Sequence, residues 1–468
     1  MFGLEAGLSI IFLFCILAAC AFEFVNGFHD TANAVATVIY TNSLRPWAAV
    51  VWSAFCNFCG VFLGGIGVAM GIVNLLPPEA LIDMNVYHSI SMILAILFAA
   101  IIWNLGTWYY GLPASSSHTL IGSILGVGLA FSFLPGDHQT AVNWGKAGEI
   151  GLSLLMSPLF GFSATIFLMF FLRRLLGKGS IIFKEPDKKN PPPIWIRFIL
   201  IITCTLVSFF HGSNDGQKGV GLLMLILITV LPAYYAINQD YRLSDLTPIS
   251  NKILTTTARI DTSLLSITEK EVLERVEMNT ARFAIDYKNT GDTSMNALQK
   301  EKFILRNEIL AVTKGIDVLL KSENVNLNVL DKQELRAQVK ALKGSTDYSP
   351  IWVTFLISIS LGLGTMIGWK RIVVTIGEKI GKQHLTYAQG ASAELVAAST
   401  IGLSTFFSLP VSTTHVLSSG IAGSMVANKG IKNLRPDTVR NILLAWLLTL
   451  PVSIILSGSL FLLFRWLF

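Results

Sequence analysis

Long apolar stretches separated by short polar breaks dominate this chain. They run from Met1 to Phe22 and near 47–76, 89–112, 114–134, 149–172, 195–209, 219–237, 351–369, 395–409, 411–427 and 441–464. Most are long enough to cross about 30 Å of hydrocarbon, which takes about 20 helical residues. Several carry Gly, Pro and polar residues inside the apolar run, the pattern of discontinuous helices. The first stretch has no Lys or Arg before Arg45, so it lacks the basic leader of a signal peptide and reads as a retained span. The expected class is an all-α polytopic membrane protein.

One segment breaks the pattern. In residues 238–349, 32 of 112 positions are charged, half of each sign. Stretches such as Glu269–Ile285 and Leu298–Leu320 place apolar residues at three- and four-residue spacing among paired charges. The chain therefore divides into a membrane block 1–237, a polar, mainly helical soluble insert 238–349, and a membrane block 350–468. The insert reads as a domain spacing the two blocks, with a regulatory or oligomerising module as the alternative.

Composition sharpens this. Hydrophobic residues make up 52% of the chain and charged residues 14%, against roughly 25% charged in soluble proteins. A soluble enzyme is excluded, and no nucleic-acid partner is implied. The net charge of +6 lies wholly in the membrane blocks. One basic cluster is Arg173, Arg174, Lys178, Lys184, Lys188 and Lys189. The other is Lys370, Arg371, Lys379 and Lys382. Both read as cytoplasmic loops. Counting 195–209, 219–237 and 351–369 as three crossings puts them on opposite sides, so one of these is expected to be re-entrant, or one cluster to break the rule. Trp103, Trp108, Tyr109 and Tyr110 read as an interfacial aromatic belt. The five cysteines lie in apolar stretches. Cys56 and Cys59 have metal spacing but no second pair, so no metal site is assigned.

Two polar motifs each occur twice. Phe24, Gly27, Asp30 and Val35 align with Phe209, Gly212, Asp215 and Val220, and Pro113-Ala-Ser-Ser-Ser-His118 aligns with Pro410-Val-Ser-Thr-Thr-His415. Paired motifs in two halves are what a transporter built from structural repeats shows. Proline suits the first position of a helix. Ser115, Ser116 and Ser117, and equally Ser412, Thr413 and Thr414, would then line first turns where free N–H groups, hydroxyls and the helix dipole form a cradle for an oxyanion. An acid at bilayer depth costs at least about 2.5 kcal/mol and marks an ion path. Asp30 with Asn33, and Asp215 with Asn214 and Lys218, are therefore the candidate coupling-ion residues. Oxygen ligands of this kind suit Na⁺ or a divalent ion, and an aspartate can equally carry a proton. His29, His118, His211, His415, Glu23 and Glu394 are candidates for a proton relay, set against structural hydrogen bonding.

The residues 26–37 (Asn-Gly-Phe-His-Asp-Thr-Ala-Asn-Ala-Val-Ala-Thr) and 211–221 (His-Gly-Ser-Asn-Asp-Gly-Gln-Lys-Gly-Val-Gly) resemble the paired signature of the inorganic phosphate transporter (PiT) family, and the Pro-hydroxyl-His runs its second paired element. The first motif is most like the bacterial low-affinity, proton-coupled branch. The resemblance implies an inverted-repeat fold in a bacterial inner membrane and uptake of phosphate, in that branch as a neutral metal–phosphate complex moving with protons. It implies no bound cofactor beyond a co-transported divalent metal. Two departures from the family pattern Gly-Ala-Asn-Asp-Val-Ala-Asn-Ala stand out. His29 replaces the first Asn in copy one, and Lys218 stands at the second Asn in copy two. A lysine brings an ammonium and no acceptor, which argues against sodium ligation there and for protons.

Sodium-coupled phosphate or sulfate transport stays open at this level, as does assembly as a homo-oligomer. An intramembrane phosphate-handling enzyme using Asp30 or His29 would be expected to add a Gly-rich phosphate loop, which the sequence lacks. A membrane sensor displaying the insert would neither exchange nor consume phosphate.

Overall fold

The computed structural model describes residues 4–76, 86–134, 142, 144–177, 179–187, 190–241, 245–286 and 295–468. Lys178, Lys188 and Lys189 of the first basic cluster lie outside them. Among the described residues the chain is helical, with no strand, and forms two compact units. One comprises residues up to 226 and from 349 onward, the other Leu227–Tyr348.

The membrane unit opens with α1 (Ala6–Tyr40), α2 (Pro46–Leu63) and the short α3 (Gly67–Val73). The apolar run 47–76 is thus broken, at Gly64 to Ile66, where Gly65 takes φ +81°. Next come α4 (Val86–Tyr109), α5 (Ser116–Ser132) and α6 (Trp144–Leu176). Helix α7 (Ile194–His211) passes through a π-turn (Gly212–Gly216) into α8 (Gln217–Val230), followed by the short α9 (Pro232–Tyr235). After the soluble unit the chain resumes with α14 (Ile351–Thr365), α15 (Lys370–Val374), α16 (Tyr387–Phe406), α17 (Thr413–Lys429) and α18 (Pro436–Leu467). Among the described residues six helical courses are long and apolar enough to cross a membrane, Ile194–Val230 counting as one. The protein is a multi-pass membrane protein.

That single course corrects the reading of 195–209 and 219–237 as separate spans. A π-turn inserts an extra residue without ending the helix, so glycine and polar residues at 212–217 mark a widened turn, not a loop. Of the three crossings counted between the two basic clusters, two remain, 194–230 and the one begun by α14, an even number. Contacts agree. The Asn42 amide donates to the Asp187 carbonyl at 2.8 Å, Arg197 to the Ser43 carbonyl at 2.7 Å, and Arg173 to the Ala427 carbonyl at 2.6 Å. Gly377 lies under the Tyr40 ring. Residues 40–45, Arg173, Asp187, 377–382 and 427–435 therefore share one end of this unit.

Helices α16 and α17 form a hairpin. The backbone amide of Lys382 donates to the Asn433 carbonyl at 2.8 Å and that of Arg435 to Ile380 at 3.0 Å, so its two ends meet. Its tip, Phe407 to Ser412, projects into the unit, with Ser408 at φ +57°. Helices cross closely where glycine removes the side chain. A Cβ on Gly60 would lie 2.0 Å from the Phe209 carbonyl oxygen, and one on Gly364 would lie 2.1 Å from that of Phe24. Small residues of this kind let membrane helices approach without a hydrophobic driving force. The expected aromatic belt is only partly one. Tyr109 and Tyr110 are exposed, but the Trp103 indole donates to Thr449 and that of Trp108 to the Gly368 carbonyl.

The second unit holds α10 (Leu246–Thr257), α11 (Ile267–Asp286), α12 (Met295–Lys321) and α13 (Val329–Thr346) around a core that includes Leu246, Ile253, Leu305, Ile309, Ile316 and Leu335. Arg306 is buried in it and donates to the carbonyls of Ala236 and Thr346, tying the incoming chain to the outgoing one. Burial pulls its guanidinium down to about 10, so it stays charged at neutral pH.

Candidate functional site

Ten residues of α1 separate Asp30 from the helix end at Tyr40. At 1.5 Å per residue that is about 15 Å, half the thickness of the hydrocarbon. Asp30 is 1% exposed and Asp215 is fully buried. The π-turn brings Asp215 to Asp30, because the extra residue swings Ser213, Asn214 and Asp215 inward between α2 and the hairpin tip.

The N-termini of α5 and α17 converge on these two carboxylates. Asp30 accepts hydrogen bonds from Ser116 at 2.7 Å and from Thr414 at 2.6 Å. Asp215 has Ser116 and Thr413 hydroxyls at 3.5 Å and the Lys218 ammonium at 2.7 Å. One hydroxyl, that of Ser116, thus bridges the two repeats' acids. Asn33 donates to Thr414 at 2.9 Å and keeps its amide oxygen unpaired. Asn214 holds the hairpin tip, donating to Thr405 and to the Leu409 carbonyl and accepting from the Val411 amide.

The other hydroxyls are occupied differently from the expected cradle. The helices begin at Ser116 and Thr413, three residues after Pro113 and Pro410, so proline is not the first helical residue. Ser115 and Ser412 are the caps, their oxygens accepting from the His118 and His415 amides at 3.2 Å. A side-chain oxygen at the cap satisfies an orphan N–H, while the hydroxyl hydrogen of each serine remains a donor. Ser117 accepts from Lys218 and donates to the Val411 carbonyl. Ser116, Thr413 and Thr414 are left facing the acids.

Lys218 has no exposed surface, so it does not snorkel to the interface. Its three donors reach Asp215, Ser117 and, at 3.5 Å, the Val411 carbonyl. His29 sits between Asp30 at 3.1 Å and Thr107 at 3.2 Å. His211 is held through Nδ1 by Asn57 at 3.0 Å, and its Nε2 stands 3.9 Å from Asp30 and 3.7 Å from Asp215 without a hydrogen bond. Ligand atoms of Asp30, His211 and Asp215 lie within 4.8 Å of one another, an oxygen–nitrogen set able to hold a divalent cation. Thr107 and Asn57 were missed in the sequence. Asn57, a lone amide in an apolar helix, carried a usable signal, because such residues face partners inside the protein.

The remaining candidates lie farther out. His118 and His415 face each other with ring centroids 4.5 Å apart, and His415 stacks on Trp446 at 4.0 Å. Glu23 is two helical turns before Asp30, fully buried, with one oxygen accepting from Asn26 at 3.2 Å and the other unpaired. Its carboxyl lies against Gly219, beside Lys218. Glu394 accepts from Thr203 at 2.5 Å, and Gly390, one turn earlier on α16, packs against Thr37 of α1.

The chain matches the model of the phosphate transporter family over residues 26–457. It is 41% identical to the low-affinity inorganic phosphate transporter PitA of Escherichia coli (strain K12), with 98% of this chain and 97% of that protein covered. It is 30% identical to the probable low-affinity inorganic phosphate transporter of Bacillus subtilis (strain 168), with 96% of each covered. A solved structure entitled "The sodium-dependent phosphate transporter" shares the fold at a TM-score of 0.54 and 20% identity, covering 98% of this chain and 100% of that one.

Proposed function

We propose that this chain, which belongs to the phosphate transporter family and is a transporter and not an enzyme, moves inorganic phosphate by symport with protons, the cargo travelling as a neutral complex with a divalent cation. The observation that carries this reading is the state of the hydroxyls. Ser116 and Thr414 already donate to Asp30, with Ser116 and Thr413 turned toward Asp215. Two buried carboxylates and one ammonium leave an uncompensated negative charge, so a bare phosphate anion is repelled.

Neutralising the carboxylates changes both terms at once. A proton on Asp30 turns one of its oxygens from acceptor to donor and frees the hydroxyl that oxygen held, Ser116 at Oδ2 or Thr414 at Oδ1, to donate to phosphate. A divalent cation between Asp30, His211 and Asp215 offsets the charge of the anion it accompanies. Lys218 supplies a fixed charge at the place where an amide oxygen would help ligate sodium, which favours protons as the driving ion. Glu23 and Glu394 stand on the two sides of Asp30 along α1, and each has an oxygen without a hydrogen-bond partner, so they are assigned as relay stations. His118 and His415 are assigned to pinning the two helix starts together through their mutual stacking.

Labelled-phosphate uptake in proteoliposomes tests this. Uptake should collapse with a protonophore, stay unchanged when choline replaces sodium, and fall when divalent cations are chelated. Sodium stimulation with indifference to the protonophore would overturn the proton assignment.

A further inference from the structure

Helices α4 and α5 pack on each other, and the turn between them repeats the tip of the α16–α17 hairpin. Tyr109-Tyr110-Gly111-Leu112-Pro113 aligns with Phe406-Phe407-Ser408-Leu409-Pro410. Gly111 and Ser408 take φ +67° and +57°, and each aromatic pair meets edge to face at 5.4 Å. The surroundings differ. Ser408 abuts Gly67 of α3, a helix without a charged residue. Gly111 instead accepts from Thr375 at 2.8 Å and borders a cleft of 650 Å³, whose lining includes Trp108, Tyr109, Lys370, Arg371 and Lys379. No acid is among the lining residues, and Glu378, beside Lys379, lies against the Tyr40 hydroxyl. The repeat accounts for the shape of both tips but not for cations at one of them.

The cleft reaches from the transport site to the end of the unit that carries Lys379, Lys382 and Arg173. Gly368 packs on Phe28, two residues before Asp30, and Gly377 lies under the Tyr40 ring. Residues 368–377 therefore run beside α1 over that distance, about 18 Å. At the inner end Trp108 meets Phe28 edgewise at 5.0 Å, and Thr107, the residue before it, holds His29 beside Asp30. Arg371 is fixed against this wall. It donates to the Tyr109 carbonyl at 2.6 Å, and its guanidinium carbon lies 4.9 Å from the Trp108 ring centroid and 5.0 Å from that of Tyr109. That bond uses one of five donors, and a guanidinium held on two rings presents the others to a ligand at little entropic cost. Cations that only set topology sit in loops outside the membrane. Arg371 stands about 9 Å inward of Gly377, where a charge facing a cavity marks a substrate path. The acids of the transport site repel a bare phosphate, whereas three cations without an acid hold one. We propose that this cleft is a second phosphate site, in which Arg371, with Lys370 and Lys379, holds the anion between Asp30 and the basic end. The proposal rests on phosphate as the cargo and is independent of the ion that drives it.

The basic end is the cytoplasmic one, so inverted membrane vesicles present the cleft and right-side-out vesicles the opposite face. Half-saturation of labelled-phosphate exchange is measured in both, from a host without other phosphate uptake. Arg371→Gln should raise the ratio of the inverted to the right-side-out value tenfold or more, the loss of one hydrogen bond to a charged ligand, and Arg371→Lys should recover part of it. If Arg371→Gln does not reach the membrane, Lys370→Gln/Lys379→Gln, which alters only exposed side chains, carries the comparison. An unchanged ratio, including half-saturation raised equally in both vesicles, assigns Arg371 to packing and overturns the proposal. So does phosphatidylglycerol that, added to phosphatidylcholine proteoliposomes, raises half-saturation for the wild type and not for Arg371→Gln, since that gives the cleft to a lipid headgroup. A wild type that exchanges no phosphate in either vesicle would instead sink the cargo on which the proposal rests.

Discussion

Replacing Lys218 with Met removes the only ammonium within reach of Asp215 among the described residues and leaves the shape nearly unchanged. Both partners of the pair are fully buried, with 2.7 Å between the charged atoms. Breaking such a pair from one side costs about 3–5 kcal/mol, because the other charge stays buried and unpaired. The loss of the contacts to Ser117 and the Val411 carbonyl adds about 1 kcal/mol each at most. In a protein of this size, where the unfolding entropy is about 1 kcal/mol/K, the unfolding midpoint should fall by roughly 3–7 °C. Asp215→Asn/Lys218→Met removes both charges, so it should recover most of that loss while transport stays abolished. The assay is thermal unfolding of wild type, both single variants and the double variant in one detergent, read alongside phosphate exchange. A single Lys218→Met variant as stable as wild type, or a double variant less stable than either single, would show that the pair is not a structural charge couple. Lys218→Asn adds a functional arm. It restores an amide oxygen and should lose activity or acquire sodium dependence. A fully active, sodium-blind variant would refute the idea that the ammonium stands in for a cation.

Four further outcomes are expected. Asp30→Asn should abolish driven uptake with expression retained, since the amide keeps the shape but can neither take up a proton nor offset a cation; normal accumulation would remove Asp30 from the coupling machinery. Ser116→Ala and Thr413→Ala should each raise the half-saturating phosphate concentration tenfold or more, the cost of one hydrogen bond to a charged ligand at about 1.5–3 kcal/mol, and unchanged saturation in both would place the anion elsewhere. Gly60→Ala puts a methyl group 2.0 Å from the Phe209 carbonyl oxygen, so the α2–α7 crossing must open, and thermal stability measured beside Gly7→Ala, where nothing lies within 4 Å, should fall only in the former. Arg306→Met frees the Ala236 and Thr346 carbonyls and should raise amide exchange at both ends of the soluble unit, while unchanged exchange there would show that the tie is dispensable.

The fold class and the acids were legible because membrane insertion makes hydropathy and buried charge informative. A long apolar run can only be a helix in lipid, and an aspartate inside one is too costly to be incidental. Cap geometry was not legible. Pro113, followed by Ala114 and three serines, fits a proline at the first helical position as well as one placed before the cap, and the helix start at Ser116 with the Ser115 oxygen on the His118 amide at 3.2 Å separates the two. The π-turn hid for a similar reason. Gly212 and Gly216 with polar residues between them have the composition of a loop, and the continuation of the helix through them is decided by packing against Asn57 and Val61 of α2.

The location of Lys218 shows how local spacing and tertiary setting combine. Its three-residue offset from Asp215 permits an ion pair on any helix, yet on an exposed face that pair is worth little and the lysine would reach for water. Here the hairpin tip closes over it, with Ser117 on one side and the Val411 carbonyl on the other. The same closure that excludes water strengthens every charge interaction within the site. A carboxylate that loses or gains a proton there shifts the balance for its neighbours, and the Ser116 hydroxyl lies between the two acids, 2.7 Å from Asp30 and 3.5 Å from Asp215.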